Sequence, residues 1–239
     1  MSARAQPADP TEPAALEPVP VEDAEGDLRA VDGRVPGRRG LATRARLLEQ
    51  TRQLLSTTSY RDLKVVDIAR DAGTSPATFY QYFPDAESAL LALADELVGE
   101  GRERLTRPVR EGSWTGRAAY ETCERIAASF LDFWDEHRSL LAVIDLASTE
   151  GDLRFREIRV QLLNAFTEAI SAEVEAQRDA GRLPSDLDPT ATASALVAML
   201  AQVSGHRYGI ERYGTTGSEI QRALARLLYS GVTGRKPPA

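Results

Sequence analysis

The chain has 239 residues, of which 42% are hydrophobic, so it is long enough to bury a sizeable core in one or two domains. Its single cysteine, Cys123, excludes an intramolecular disulfide and is typical of a reducing compartment. No charged start followed by an apolar run opens the sequence, so we expect no secretory signal, no membrane partner and a cytoplasmic location. The net charge of −7 by itself disfavours nucleic acid as a partner, so the distribution of charge along the chain has to be considered.

The charge is distributed very unevenly. Residues 1–33 carry eight acidic and two basic side chains, a net −6, and are rich in Pro and Ala without any aromatic residue. Such a segment cannot bury enough apolar surface to order itself, so we predict a disordered acidic tail. Residues 34–82 carry nine basic and four acidic side chains, a net +5, which leaves −6 for residues 83–239. A basic block between acidic flanks indicates local phosphate binding, and a merely solvated helix pair is the alternative.

The basic block opens with a predicted flexible arm and an amphipathic helix. The arm contains Arg34, Arg38 and Arg39. The helix is predicted from an apolar stripe at Leu47, Thr51, Leu54 and Leu55. Three further arginines lie outside that stripe: Arg44, Arg46 and Arg52.

Residues 65–86 predict two short helices joined by a tight turn. The first helix carries an i, i+3, i+4, i+7 apolar stripe that ends at Ala72, and Gly73 follows where a left-handed residue is usual. Ser75 suits the N-cap of the next helix and Pro76 its first position. Phe79 and Phe83 share one face of this second helix, and Pro84 ends it. The pattern indicates a helix-turn-helix whose second helix can enter a major groove.

This segment resembles the amino-terminal DNA-binding domain of the TetR (tetracycline repressor) family of bacterial regulators. The residues that carry the resemblance are Tyr60, Val65, Asp67, Ile68, Ala69, Ala72, Gly73, Ser75, Thr78, Tyr80, Phe83, Pro84 and Glu87. The resemblance implies a homodimeric regulator that binds a palindromic operator in double-stranded DNA and a small effector in its carboxy-terminal helical domain. The predicted DNA-contacting residues are Arg38, Arg39, Arg44, Lys64, Ser75, Pro76, Ala77, Thr78, Tyr80, Gln81 and Tyr82.

Beyond the motif, every pattern is helical and no alternating strand pattern is present, so the predicted fold class is all-α. Asp85 is predicted to cap a connecting helix that contains Gly99 and Gly101 and ends at Pro108. The two glycines indicate either a hinge or a locally weak helix. Further helices are predicted near 116–136, 138–149, 152–180, 188–208 and 217–230. We therefore expect a DNA-binding domain at 34–84 and an effector-binding and dimerisation domain at 85–239.

The sequence is poorly supplied for catalysis. Its only histidines are His137 and His206, and no cysteine pair or histidine spacing indicates zinc. Cys123 and His137 are separated by fourteen helical residues, about 21 Å along the axis, so they cannot act as nucleophile and base in one subunit. We expect a protein that is not an enzyme and that needs no metal or cofactor.

The helix at 116–136 carries an aromatic stripe that ends in a histidine. Ordinary core packing is one interpretation, and one wall of a small-molecule pocket is the other. The family resemblance favours the pocket and a largely apolar effector. The predicted effector-binding residues are Cys123, Ala127, Phe130, Trp134, His137, Phe166, Gln202 and His206.

The last two long helices carry strong apolar stripes, which can pair with a second copy or close the chain's own core. In the resembled family these helices form a four-helix bundle between subunits. The predicted dimer-interface residues are Leu196, Met199, Leu200, Val203, Ile220, Leu224, Leu227 and Leu228.

The sequence therefore predicts a dimeric regulator, most simply a repressor that a small molecule releases from its operator. Two other classes remain open at this stage. One is a helical ligand carrier in which the turn motif is coincidental, and steeply salt-dependent affinity for duplex DNA separates it from a regulator. The other is a helical lyase or hydrolase, which the scarcity of histidine and cysteine disfavours.

Overall fold

The computed structural model describes Val31 and residues 36–238 of the chain. These residues form ten α-helices and no strand, so the prediction of an all-α fold is confirmed. The first three helices are α1 (Arg38–Leu55), α2 (Val65–Asp71) and α3 (Pro76–Tyr82). The others are α4 (Ala86–Arg110), α5 (Gly116–Glu136), α6 (Arg138–Thr149), α7 (Leu153–Asp179), α8 (Pro189–Gly205), α9 (Arg207–Glu211) and α10 (Gly217–Thr233). Apart from Val31, the predicted acidic tail and Arg34 lie outside the described residues.

The predicted turn between α2 and α3 forms as the sequence indicates. Gly73 has a φ of 67°, the left-handed conformation in which a side chain would be strained. The side-chain oxygen of Ser75 accepts a hydrogen bond from the amide of Thr78 at 3.2 Å, which caps α3. Phe79 is 0% exposed, and its ring lies 5.5 Å from that of Phe83, so one face of α3 is anchored in the core.

The connecting helix α4 begins as predicted but does not end at Pro108. The carboxylate of Asp85 accepts the Ser88 amide at 2.7 Å, and this bonding, together with that of the Ser88 hydroxyl, lowers the pKa of Asp85. Pro108 lies inside α4, which continues to Arg110. Pro108 has no amide N–H to donate to the carbonyl of Arg104, one turn earlier. The hydroxyl of Ser129 on α5 donates to that carbonyl oxygen instead, at 3.3 Å. Packing against α5 therefore allows the helix to pass through the proline.

The remaining helices agree with the predicted spans, with one exception. The predicted helix at 188–208 is divided at His206 into α8 and the short α9. Side chains of Asp152, Asp188 and Thr216 cap the starts of α7, α8 and α10 respectively. Helix α4 packs against α5 and α7, and α10 packs along α5. These helices surround the core of the part of the chain that follows the helix-turn-helix. Among the described helices, none combines the length and apolar character required to cross a bilayer.

The two glycines of α4 have different environments. Gly99 is exposed, and a methyl group added there would meet nothing within 4 Å. Gly101 is buried, and a methyl group there would lie 2.5 Å from Cδ1 of Leu162 and 3.1 Å from Cζ of Phe133. Gly101 is therefore a close-packing position where α4 approaches α5 and α7.

This difference predicts opposite effects for one substitution at the two sites. Gly99→Ala should raise the free energy of unfolding by about 0.5–1 kcal/mol, because alanine is the better helix former and has room there. Gly101→Ala should lower it by about 1–3 kcal/mol, because Leu162 and Phe133 must move within a packed core. Urea unfolding of both variants measures the difference, and equal stabilisation by both would contradict the close-packing role of Gly101.

Candidate nucleic-acid interface and ligand region

Helix α3 presents a polar and aromatic face to solvent. Tyr80 is 51% exposed although its ring edge contacts Phe79, with ring centroids 5.9 Å apart. Ser75, Ala77 and Gln81 are also exposed, while the side chains of Pro76, Thr78 and Tyr82 are half-buried. Because Phe79 anchors the opposite face, these residues are held on a rigid element from which a side chain can reach a base edge.

The start of α1 lies beside the end of α3. A methyl group on Gly40 would lie 3.3 Å from the Tyr82 hydroxyl, which shows how closely the two helices approach. The amide of Val31 donates to the carbonyl of Gln81 at 2.9 Å, so Val31 also lies at the end of α3. Arg38 and Arg39 are exposed on the first turn of α1. This proximity gives α3 a cationic flank.

Arg44 does not belong to that cationic surface, contrary to the sequence prediction. Its side chain is only 10% exposed, and its guanidinium lies 3.7 Å from the carboxylate of Glu96 on α4. The same group lies 5.3 Å from the centroid of the Phe83 ring. Arg44 is thus turned inward and binds α1 to α3 and α4, whereas Lys64 is exposed as expected.

Ion pairs join the helix-turn-helix unit to the corner between α6 and α7. Glu150 at this corner forms an ion pair with Arg61 and accepts a hydrogen bond from the Tyr60 hydroxyl at 3.0 Å. Arg154, at the start of α7, forms an ion pair with Glu87, at the start of α4. The α6–α7 corner is therefore in direct contact with the helix-turn-helix unit and with the start of α4.

His137 lies at the edge of the aromatic core, where its ring centroid is 4.7 Å from that of the buried Phe133. Its Nε2 is 3.0 Å from a carboxylate oxygen of Glu100 on α4. A cavity of about 300 Å³ lies between α1 and the turn that joins α5 to α6. It is lined in part by Arg52, Leu55 and His137.

The side chains of Glu100, Glu136 and His137 are arranged closely enough for their ligand atoms to lie within 4.8 Å of one another. The guanidinium of Arg104 already binds Glu136 through two hydrogen bonds and lies 3.4 Å from Glu100. The cluster is therefore an ion-pair network in which an arginine takes the place that a metal cation would need.

The structure brings together most of the predicted aromatic stripe, and it does so inside the core. The ring of Phe130 stacks on Trp134 with centroids 5.3 Å apart and contacts Phe166 at 4.7 Å. Cys123 and Ala127 are fully buried on the same helix. Burial raises the pKa of the Cys123 thiol to about 12, so the thiol stays protonated and behaves as an apolar side chain.

Two predicted polar anchors lie elsewhere. Gln202 and His206 are exposed on α8 and at its end, and Nδ1 of His206 is 3.1 Å from the carbonyl of Gln202. The sequence prediction that they line the same pocket as Phe130 was wrong, because the α8 face that packs on α5 carries Val197, Ala201 and Ser204 instead.

Ser204 is the polar side chain that the sequence analysis missed. Its hydroxyl is buried and has no hydrogen-bond partner among the described residues. It borders a cavity of about 10 Å³, roughly the space of one water, which Trp134 and Leu131 also line. A small serine in an alanine-rich helix carries no sequence signal that distinguishes it from packing.

Half of the predicted dimer stripe is buried within the single chain. Leu200, Ile220, Leu224 and Leu228 are at most 4% exposed, so they have almost no surface left for a second copy. That part of the prediction was wrong because α8 and α10 pack against each other, α5 and α7. Leu196, Met199 and Val203 are half-buried, and Leu227 is 55% exposed. The exposed positions of α8 and α10 also include the small residues Ala195, Ala198 and Ala223, next to the larger polar side chains of Gln202, Arg222 and Arg226.

Two family models match the chain in adjoining segments. The model of bacterial regulatory proteins of the tetR family matches residues 47–93, which include the helix-turn-helix. The model of the tetracyclin repressor-like C-terminal domain matches residues 105–239, which is more than half of the chain.

Individual relatives agree with these matches. The HTH-type transcriptional regulator EthR of Mycolicibacterium smegmatis is 24% identical over 193 residues, which cover 81% of this chain and 87% of that protein. Two solved structures share the fold. The fatty acid degradation regulator FadR from Bacillus halodurans has a TM-score of 0.61 at 16% identity, covering 84% of this chain and 97% of that one. The transcriptional regulator FadR from Bacillus subtilis, solved in complex with stearoyl-CoA, has a TM-score of 0.62 at 18% identity, covering 79% of this chain and 98% of that one.

Proposed function

This chain belongs to the tetR family of bacterial regulatory proteins, and we propose that it is a repressor that binds a palindromic operator as a homodimer and leaves it when a small, largely apolar effector binds. It is a ligand-responsive DNA-binding transcriptional regulator. The observation that carries the proposal is the rigid, outward-facing α3 beside the exposed arginines of α1. Its curated relatives are transcriptional regulators rather than enzymes.

In the proposed complex α3 lies in the major groove. Gln81 and Tyr80 are the side chains best exposed for contact with base edges, and a glutamine can bond an adenine through two hydrogen bonds. Arg38, Arg39 and Lys64 are exposed cations suited to the flanking phosphates. Ser75 and Thr78 lie at the start of α3, where the helix dipole also favours a phosphate. Phosphate contacts supply affinity, and the α3 side chains supply specificity.

The proposed dimer forms through the outward faces of α8 and α10. Small residues such as Ala198 and Ala223 allow helices to approach closely, and Leu227 supplies an exposed apolar side chain beside them. One helix-turn-helix covers only a few base pairs, so two copies are needed to read a palindrome. Their recognition helices must then be separated by about 34–36 Å to enter successive major grooves.

The proposed effector site lies between α5, α7 and α8, around Phe130, Trp134 and Phe166. These rings supply an apolar wall, and the unpartnered hydroxyl of Ser204 supplies a hydrogen-bonding group next to Trp134. The site is closed in this structure, so a ligand must separate the helices to enter. The stearoyl-CoA in the Bacillus subtilis FadR structure supports an effector with a long apolar portion.

Effector binding can reach DNA through α4 and the α6–α7 corner. A ligand shifts the DNA equilibrium only if it binds the two conformations with different affinity. Separation of α5 from α8 would move α4, because Gly101 is packed directly against Phe133 and Leu162. The pairs of Glu150 with Arg61 and of Arg154 with Glu87 would transmit the same movement to the helix-turn-helix.

Gln81→Ala tests the assignment of base readout to α3. The variant should lose about 1–3 kcal/mol of binding free energy on the cognate operator and much less on random duplex, because only a base contact distinguishes the two. The operator is first obtained by sequencing genomic fragments that the purified protein retains. Gln161→Ala, which removes an exposed glutamine of α7, is the matched control in fluorescence anisotropy. Equal losses on both duplexes would assign Gln81 no readout role.

Leu227→Glu tests the dimer face. A carboxylate buried between two copies lacks a partner, so the variant should dissociate to monomers and lose operator affinity. Leu153→Glu is the control, because Leu153 is 70% exposed on α7, away from the α8–α10 face. Sedimentation velocity measures the oligomeric state of both variants. A Leu227→Glu variant that remains dimeric would move the interface elsewhere.

Ser204→Ala tests the effector site with little risk to folding. Removal of an unsatisfied buried hydroxyl should leave the free energy of unfolding unchanged or higher, while effector affinity falls about fivefold to tenfold. Ser148→Ala is the control, because Ser148 also has a buried hydroxyl without a partner among the described residues but lies on α6. Stearoyl-CoA is the first probe, followed by apolar compounds that raise the melting temperature. Equal affinity of both variants for such a compound would place its site away from Ser204.

A further inference from the structure

A cleft of about 810 Å³ lies between the first turns of α5 and the last turns of α10. It is open to solvent, and its size falls within the usual range of small-molecule sites. Neither the DNA-binding surface nor the proposed effector site includes it. Tyr120 in the cleft and Trp134 in the aromatic core are fourteen residues apart on α5, which separates them by about 21 Å.

The cleft concentrates positive charge on an acidic protein. Its lining includes Arg117 from α5, Arg222 and Arg226 from α10, and Lys236 from the segment that follows α10. Arg117 is paired with Glu121 at 3.4 Å. Arg226 and Lys236 form no salt bridge with any residue that the structure describes, so both are available to an anion. In a chain with a net charge of −7, such a cluster can bind the anionic part of a ligand, because local rather than total charge decides.

Two tyrosines form the floor of the cleft. Their rings lie 5.8 Å apart at an interplanar angle of 77°, so the edge of one contacts the face of the other. Tyr229 is only 5% exposed, and its hydroxyl makes no hydrogen bond within the described part of the chain. The hydroxyl is not one of the buried unpartnered polar atoms of the described residues, so it reaches the solvent of the cleft and is free to bond a polar atom of a ligand. Tyr120 is half-buried, and its ring can stack with a planar group.

The same cleft also contains the carboxylates of Glu121 and Glu124. These would repel a simple anion such as sulfate, but they can accept hydrogen bonds from hydroxyl or amino groups of a larger ligand. A ligand that matches the cations, the tyrosine rings and the carboxylates of the cleft carries a phosphate group, a planar ring and hydroxyl or amino groups that donate hydrogen bonds. A nucleoside phosphate has this chemistry.

We propose that the cleft between α5 and α10 is a second ligand site, which binds a nucleoside diphosphate through Arg226, Lys236 and the two tyrosines. Arg226 and Arg222 are one turn apart on α10, on a side of the helix about 100° from Ala223 and Leu227. The two arginines therefore project to one side of the proposed dimer face rather than from its centre. It lies beyond the proposed effector function and does not depend on it.

Calorimetric titration of the full-length protein with ADP tests the site. Wild-type protein should show saturable binding that weakens as salt concentration rises, because the contact is largely ionic. Arg226→Gln and Lys236→Gln should each weaken binding about tenfold, as expected for loss of a hydrogen bond to a charged group. Tyr229→Phe retains the ring packing and should weaken binding about threefold to tenfold through loss of the hydroxyl alone. Arg156→Gln is the charge-matched control, because Arg156 is exposed on α7.

Two further probes separate the parts of the ligand. Adenosine should bind at least tenfold more weakly than ADP, and pyrophosphate should also bind more weakly than ADP. The proposal is overturned if ADP shows no saturable binding at millimolar concentration, or if Arg226→Gln and Arg156→Gln bind ADP equally. Pyrophosphate that binds as tightly as ADP would overturn the assignment to a nucleotide. Unchanged melting temperatures of the variants confirm that any loss of binding is not a loss of fold.

Discussion

The close approach of α4 to α5 and α7 at Gly101 is the constraint on which the rest of the molecule depends. A methyl group at Gly101 would lie 2.5 Å from Cδ1 of Leu162 and 3.1 Å from Cζ of Phe133, so a larger residue requires both side chains to move. Leu90 and Leu93 near the start of α4 are also at most 1% exposed, so the helix is buried in one continuous core along much of its length. Interiors packed at this density transmit displacement rather than absorb it. The position of α4, which continues from the helix-turn-helix, is therefore coupled by packing to the positions of α5 and α7.

Charge supports the same connection from outside the core. Glu150 and Arg154, on either side of the α6–α7 turn, form ion pairs with Arg61 and Glu87. All four side chains are substantially exposed, so each pair contributes little to stability. They form a second set of contacts between the helix-turn-helix and the rest of the described chain, at a distance from the α4 contact.

Exposed cationic side chains are concentrated on two separate surfaces of the described chain. Exposed arginines at the start of α1 lie beside the outward face of α3, and Arg44 of the same helix is instead used internally against Phe83 and Glu96. A second concentration of cations lies at the far end of α5, where Arg226 and Lys236 are unpaired within the described chain. The two proposed phosphate-binding surfaces are compatible with a net negative charge, because local rather than total charge governs attraction of an anion.

The sequence by itself determined the helical class, the turn at Gly73, the cap at Ser75 and the anchoring of α3 by Phe79, because these depend on residues within a few positions of one another. It also indicated the family. Only the tertiary structure decided that Arg44 faces inward, that Leu200, Ile220, Leu224 and Leu228 fill the chain's own core, and that Ser204 rather than Gln202 borders Trp134. Periodicity identifies which residues share a helix face, but it does not identify the partner of that face. Pro108 shows the same limit, since a hydroxyl from α5 satisfies the carbonyl that local chemistry alone would leave unbonded.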